Sequence, residues 1–462
     1  MQYPYFREQN RFSSRVTSCG IRLNFSRQRM TARDWKRLLQ VAQRKAMLSQ
    51  FEAMMRGAVV NASEKRQALH ASLRSMHSKA PYFAQIKAER DRMLHFAQSV
   101  RSGRWKGCRG DKITDVINIG IGGSEMGPHA VYHALSRPDA RVRLHFLSTV
   151  DGILLERILS QCTPKSTLVI VSSKSFTTRE TQVNAAAVDQ WFLDQGIVGP
   201  DRARHMVVVS ANPQACHMMC LPETNQFYIW EWVGGRFSVW GSIGLPLAIA
   251  LGQNVFMEFL QGGAEMDKHA KTAPLGQNLP AILAMLAYWN ISQWKMMSHC
   301  VLPYDERLRG LVGWLQQLEM RSLGKPSVTE RLTGQGVWGA NGNEAQHSFY
   351  QWLREGTSCN SIDMIWSEMP GHRFAEHYRV LLANARAQSE ALLVRAPNSP
   401  YFNVLSTLVL DAITPRRLGA LMAMYEHKTT MLGSLLDVNP FDQPGVELGK
   451  RLSMDAEKGM TK

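Results

Sequence analysis

Val116-Ile117-Asn118-Ile119-Gly120-Ile121-Gly122-Gly123-Ser124-Glu125-Met126-Gly127-Pro128 is the stretch on which the fold turns. An apolar, β-prone run stops at glycines, then a hydroxyl, then the start of a predicted helix. That is a strand feeding an anion-binding turn. The glycines let backbone N–H groups approach a phosphate, and the helix N-terminus behind them favours negative charge. The stretch lacks the Walker lysine and the full dinucleotide fingerprint. By itself it also reads as a tight strand-to-helix turn that holds no ligand.

A second block resolves that ambiguity. In Val169-Ile170-Val171-Ser172-Ser173-Lys174-Ser175-Phe176-Thr177-Thr178-Arg179-Glu180-Thr181 another apolar run ends in hydroxyls and one lysine. Ser and Thr hydroxyls are compact donors to phosphate oxygens and also cap helices. One hydroxyl satisfies a cap, and five stand between Ser172 and Thr178. Two such strand ends, about fifty residues apart, point to one α/β sheet binding one phosphorylated ligand at its carboxyl edge. The candidate phosphate-binding residues are Gly123, Ser124, Ser173, Lys174, Ser175 and Thr178.

The 462 residues are enough for two or three domains, and 45% hydrophobic with 20% charged residues is ordinary globular composition. The net charge of +16 favours anionic ligands by steering. No zinc-finger, RNP or basic-zipper pattern accompanies it, so no specific nucleic-acid role is expected. Seven scattered cysteines, with Cys216 and Cys220 the only close pair, read as free thiols of a reducing cytoplasm. No apolar run reaches the roughly 18 residues of a membrane span; Ile243 to Leu251 is short and contains Pro246. Residues 1–33 are rich in Arg and Ser with one acid, Glu8. They read as a disordered basic extension, with a transit peptide, and so a mitochondrial or plastid location, as the alternative.

Helical spacing runs from Thr31 to about Val100, and a polar, basic boundary follows at 101–111. Strands are expected near 115–120, 142–148, 167–172 and 205–210, with helices between them, and a helical stretch over 242–297. A second α/β unit begins near His299, with strands at 310–314, 326–328, 336–338 and 361–365. Helices are expected at 374–393 and 414–428, the latter with Pro415 in its first turn. The expected division is a basic N-terminal extension (1–30), a helical region (31–100), a first α/β domain (101–265), a second (266–435) and a C-terminal segment (436–462).

Three later segments join the two strand-end blocks: Trp230-Glu231-Trp232-Val233-Gly234-Gly235-Arg236-Phe237-Ser238, the run from Trp338 to Tyr350, and Phe441-Asp442-Gln443-Pro444-Gly445-Val446-Glu447-Leu448-Gly449-Lys450. In order and spacing, from about Arg22 to the end, the chain resembles the glucose-6-phosphate isomerase (phosphoglucose isomerase) family. The resemblance implies the sugar isomerase fold, two α/β sandwich domains with parallel-rich sheets, beside an N-terminal helical layer and a C-terminal segment. It implies interconversion of D-glucose 6-phosphate and D-fructose 6-phosphate through an enediol, in glycolysis and gluconeogenesis. No metal or organic cofactor is implied, because acid–base groups suffice. The implied setting is a cytoplasmic homodimer with sites at the interface, a small sugar phosphate as ligand, and no membrane or specific nucleic-acid partner.

The resemblance also assigns roles. Arg236, flanked by Gly234-Gly235, stabilises the enediolate; a structural ion pair with Glu231 is the blander reading. Lys450 assists ring opening, Gln443 binds substrate, and Ser175 stands where the family usually has threonine. A ring-opening histidine comes from the neighbouring subunit, with His372 the nearest match and His377 the second. His347 supports the catalytic loop.

One position departs from the pattern. The family places its proton-transfer glutamate directly after the Trp-Gly pair, and here Trp338-Gly339 is followed by Ala340. Glu344 stands four residues on, about 5–6 Å away in a helix, whereas a base must come within about 3 Å. The permissive Asn341-Gly342-Asn343 loop is expected to place Glu344 as the base. The alternatives are another base, a noncatalytic sugar-phosphate-binding protein, and an isomerase of another sugar phosphate such as mannose 6-phosphate.

Overall fold

The runs Leu168–Val171 and Met206–Val209 carry no polar residue, and the strands they form are buried on both faces. That pattern belongs to the interior of a parallel sheet clad by helices. The computed structural model describes residues 14–394 and 399–460. In chain order its strands are β1 (Arg15–Ser18), β2 (Ile21–Arg27), β3 (Val59–Asn61), β4 (Arg66–Gln67), β5 (Asp115–Ile119), β6 (Arg143–Leu147), β7 (Thr167–Ser172), β8 (Met206–Ser210), β9 (Gln226–Tyr228), β10 (Ser298–Pro303), β11 (Gly336–Gly339), β12 (Asn360–Ser367) and β13 (Asn403–Leu410).

The first sheet runs β6-β5-β7-β8-β9 and is parallel throughout. The second runs β1-β2-β13-β12-β10-β11; its last four strands are parallel, and β2 lies antiparallel beside β13. Because strand side chains alternate between faces, each central strand feeds two cores. Leu168, Ile170, Val207 and Val209 face the large core shared with the helices and the second sheet, and Val169, Val171, Met206 and Val208 face a smaller one. A third core, around Cys300, Leu302, Ile362 and Met364, backs the second sheet.

The helix Pro415–Leu436 is buried along nearly its whole length against the helices Gln253–Thr272 and Leu279–Ser292. A Cβ on Gly262 would lie 1.7 Å from the Arg416 carbonyl oxygen, and one on Gly419 would lie 2.0 Å from that of Phe259. Only hydrogen at both positions lets these backbones touch. The charges inside this layer are paired: Arg74 bonds Asp267 and Glu426, His427 bonds Asp267, and Lys428 bonds Glu319.

Four sequence expectations change. Residues 311–315 are helical, not a strand; a short apolar run does not reveal its own period. No strand covers 326–328 among the described residues. The second sheet is instead completed by β10 and β13, which were not expected. Finally, residues 15–27 are not a disordered extension but add β1 and β2 to the second sheet, burying Ile21, Leu23 and Phe25. Residues 1–13 lie outside the described residues.

Candidate functional site

The carboxyl ends of β5 and β7 lie side by side and are tied together. Ser172 Oγ donates to Asn118 Oδ1 at 2.9 Å, and Asn118 Nδ2 donates to the Ser124 carbonyl at 3.2 Å. Beyond β5 the chain turns through Gly122, whose φ of +62° suits glycine. Gly123 is pressed against the segment that carries Arg236: a Cβ there would lie 2.2 Å from the Gly235 carbonyl carbon. Ser238 Oγ seals the junction, donating to the carbonyls of Gly123 and Gly235. The turn leads into the helix Met126–Leu135.

Beyond β7 the loop is held by its own hydroxyls. Ser173 Oγ accepts from the Phe176 N–H at 3.2 Å, fixing buried Phe176 in a left-handed conformation (φ +58°). Ser175 and Thr177 share a hydroxyl bond of 2.7 Å. Thr178 precedes the helix Arg179–Leu193, yet its side chain makes no capping bond. The hydroxyls of Ser124 and Thr178 have no protein partner among the described residues, which leaves both free for a ligand. Lys174 differs from its sequence expectation. Its ammonium donates to the carbonyls of Glu231 (2.7 Å) and Val233 (3.0 Å), and burial pulls its pKa down. It therefore fastens the β7 loop to the segment before Arg236 rather than pointing into the turn.

Arg236 is 5% exposed. Nε donates to Ser322 Oγ (2.7 Å), one terminal nitrogen to the Pro440 (2.5 Å) and Asp442 (3.1 Å) carbonyls, and the other to Gln443 Oε1 at a long 3.4 Å. Glu231 pairs with Arg66 and Lys174, not with Arg236. Arg236 forms no ion pair among the described residues. Burial, and then the neighbouring Arg321, bring its pKa down to about 10. Asp442 and Glu64 act on it from beyond ion-pair distance, and a desolvated cation with no carboxylate in direct contact is suited to meet a negative ligand. Its bonds also draw Gln443 and the 440–443 segment to the site. Lys450 follows in the helix Glu447–Met460, and its side chain lies outside the described residues.

Sequence reading missed the helical stretch that faces this turn. Leu311–Leu315 continues through a π-turn, Gln316–Met320, into Arg321–Leu323. It supplies Ser322 to Arg236, and it carries Gln317 and Arg321 beside Gly122. The π-turn was not legible from composition, though such turns often mark functional positions.

The catalytic segment ends β11. Trp338 Nε1 donates to Ser298 Oγ at 2.8 Å, and the Gly339 backbone packs against the Val301 carbonyl. Ala340 follows as a bare methyl. Glu344 lies on the short helix Gly342–Gln346, exposed, with its carboxylate bound to both terminal nitrogens of Arg309. Those bonds hold its pKa below the usual carboxylate range, the opposite direction from a base tuned towards neutrality. The structure places Glu344 in an exposed network with Arg309 and Glu306, and no hydrogen bond or ion pair among the described residues joins it to Arg236. His372 is likewise exposed, its Nδ1 accepting from the Phe374 N–H, and His377 is exposed on the helix Ala375–Ala391. His347 is exposed too, its N–H closing the turn after Glu344.

One grouping among the described residues has metal-ligand chemistry: Asp115, His145 and Cys162. Asp115 already accepts from Arg143, His145 and Thr114, and burial pushes the Cys162 thiol up to about 12. Asp115 begins β5, so this cluster sits at the opposite edge of the sheet from the turn.

Comparison with known proteins agrees with this arrangement. The family model described as phosphoglucose isomerase matches residues 24–400 and 403–462. A glucose-6-phosphate isomerase of Paraburkholderia xenovorans is 42% identical over 96% of the chain and 86% of its own length, and one of Burkholderia pseudomallei is 41% identical with the same coverage. The crystal structure of a glucose-6-phosphate isomerase from Chlamydia trachomatis superimposes with a TM-score of 0.88 at 31% identity, covering 99% of this chain and 91% of that one.

Proposed function

The chain belongs to the phosphoglucose isomerase family, and on that premise we propose that it interconverts D-glucose 6-phosphate and D-fructose 6-phosphate through an enediol, in glycolysis and gluconeogenesis. The observation that carries this reading is Arg236, a buried guanidinium with no direct carboxylate contact among the described residues, in the segment set against the glycine turn of β5. In our reading the free hydroxyls of Ser124 and Thr178, with Ser173, Ser175 and the N–H groups around Gly123, hold the phosphate. Lys174 supports them from behind. Arg236 offers its least-engaged nitrogen, the one 3.4 Å from Gln443, to the oxygen that gains charge. Lys450, and His372 of a second copy, open the ring, and Gln443 positions substrate.

Glu344 is our proposed base for transfer between C1 and C2, and to act it must leave Arg309. The noncatalytic reading draws on Ala340 alone and is not the one that kinship supports. The helix Ala375–Ala391 buries only Ala385 and Ser389, and Phe374 before it and Val380 on it stay exposed. We assign that face to a second copy, forming a homodimer. No helix among the described residues is long and apolar enough to cross a membrane, and we place the protein in the cytoplasm.

The test is conversion of fructose 6-phosphate to glucose 6-phosphate by purified protein, beside Glu344→Gln. Turnover that collapses in the variant supports both activity and base. Turnover indifferent to the change leaves the isomerase and removes Glu344. Binding without turnover overturns the catalytic reading.

A further inference from the structure

The helix Arg179–Leu193 does not close against the chain that follows β8. Between them, on the smaller-core side of the first sheet, lies a cavity of about 370 Å³. Ala185 and Ala186 of the helix line it where larger apolar residues would fill it, and Val171 and Phe176 form its inner wall. Its mouth lies at the turn 218–220, where Met218 and Cys220 are exposed. Among the described residues the charges that line it are Asp189 and Arg202, which answer each other at 2.6 and 2.8 Å. Ser173 and Thr178, which our reading gives to phosphate, stand at its roof, so the cavity and the phosphate share one loop.

Thr181 marks this cavity as more than a gap in packing. It lines the cavity, is 4% exposed and makes no side-chain hydrogen bond among the described residues. Elsewhere in this chain Thr272, Thr429 and Thr430 each donate to the carbonyl four residues back in their own helices. Thr181 stands in the first turn of its helix, where the fourth residue back, Thr177, precedes the helix. It keeps a hydroxyl hydrogen that the fold does not use, and a buried donor without an acceptor is costly. We propose that the cavity is a second ligand site, which takes a neutral, flat heteroaromatic molecule whose ring acceptor meets the Thr181 hydroxyl. Aromatic character follows from the walls: Phe176 offers a ring, and Met218 and Met219 offer thioethers, which favour aromatic contacts. Neutrality follows from the paired charges, because an ion entering beside Asp189 and Arg202 would find no free counter-charge. The volume falls within the range of small-molecule sites. The site stands on these observations and does not rest on the sugar-phosphate reading.

The experiment is calorimetric titration of the full chain at neutral pH with two probes, quinoline and N-methylquinolinium. They share a ring system; the second carries a fixed charge and has lost the acceptor. Quinoline is expected to bind with a Kd of about 0.1–1 mM, ordinary for a ligand of its size, and the cation at least about tenfold more weakly. Thr181→Val keeps the shape and removes the hydroxyl, and it weakens quinoline about 3–10-fold. Ala186→Leu fills the cavity from its exposed rim and weakens quinoline more than about tenfold. Four results overturn the proposal: no quinoline binding up to about 10 mM, equal binding of the cation, an affinity unchanged in either variant with its fold verified by circular dichroism, and full displacement of quinoline by inorganic phosphate, which would place the probe in the phosphate site instead. Turnover of fructose 6-phosphate is a separate measurement, and its absence leaves this proposal standing.

Discussion

Replacing Arg236 by lysine keeps the charge and removes the fork, which separates the two tasks the structure gives this residue. The guanidinium serves four acceptors from three nitrogens: Ser322 Oγ, the Pro440 and Asp442 carbonyls, and Gln443 Oε1. A single ammonium on a shorter stem cannot reach all four in this geometry. At least one buried carbonyl loses its donor, at about 1–3 kcal/mol. The nitrogen aimed at the reacting oxygen is lost too, and removing one preorganised donor to a developing charge costs about 10²–10³ in kcat. The expected outcome is therefore kcat down by that factor, KM moved far less, and unfolding in urea shifted by about 1–3 kcal/mol. The coupled assay with fructose 6-phosphate reads the first two, and the fluorescence of the 12 tryptophans reads the third. Arg236→Lys with wild-type kcat would refute the catalytic role. So would a loss of kcat that vanishes at low urea and temperature, because Arg236 would then merely hold the 440–443 segment.

Three further outcomes follow from the same geometry. Ala340→Glu restores a carboxylate directly after Trp338-Gly339; if Glu344 is held by Arg309 and turns over poorly, kcat rises by about 10²–10⁴, the usual worth of a placed base, and no gain in steady-state turnover would mean that a competent base is already present. Gly123→Ala drives a methyl into the Gly235 carbonyl carbon at 2.2 Å, backbone against backbone; stability falls by about 1–3 kcal/mol on thermal unfolding, and activity falls with it as the β5 turn parts from the Arg236 segment. Asp267 is buried against Arg74 and His427, which bring its pKa from 3.8 down to about 2 despite burial. A depressed carboxyl contributes stability that is present above its unfolded pKa and lost as pH falls through the folded one. That gap corresponds to about 2 kcal/mol, so Asp267→Asn flattens the stability profile between pH 4 and pH 2, and an unchanged acid limb in denaturant titrations would exclude the assignment.

Much of the fold was legible because its signals are local. Val116–Ile119 and Leu168–Val171 are short apolar runs closed by glycines or hydroxyls, and both became central parallel strands. Thr414 and Pro415 mark a helix start, and the helix begins at Pro415, with Thr414 Oγ1 accepting from the Arg417 N–H. The failures share a cause, which is that tertiary context decides. Leu311–Leu315 and β10 are both short apolar runs, and nothing within either run distinguishes helix from strand. The ribbon β1–β2 is basic on one face and apolar on the other, and it is ordered because β13 offers an edge.

The site divides along the same line. Serines, threonines and glycines at strand ends advertise themselves, since their chemistry and their backbone demands coincide. Lysine and glutamate do not, because a long flexible charge is placed by whatever partner it meets. Lys174 meets two carbonyls and Glu344 meets Arg309, so the place of each is set by a partner that its spacing does not reveal. Arg236 follows a backbone contact instead: a Cβ on Gly123 would lie 2.2 Å from the Gly235 carbonyl carbon, so the place of this buried side chain is set by how closely two glycine segments approach and not by a partner that its charge must find.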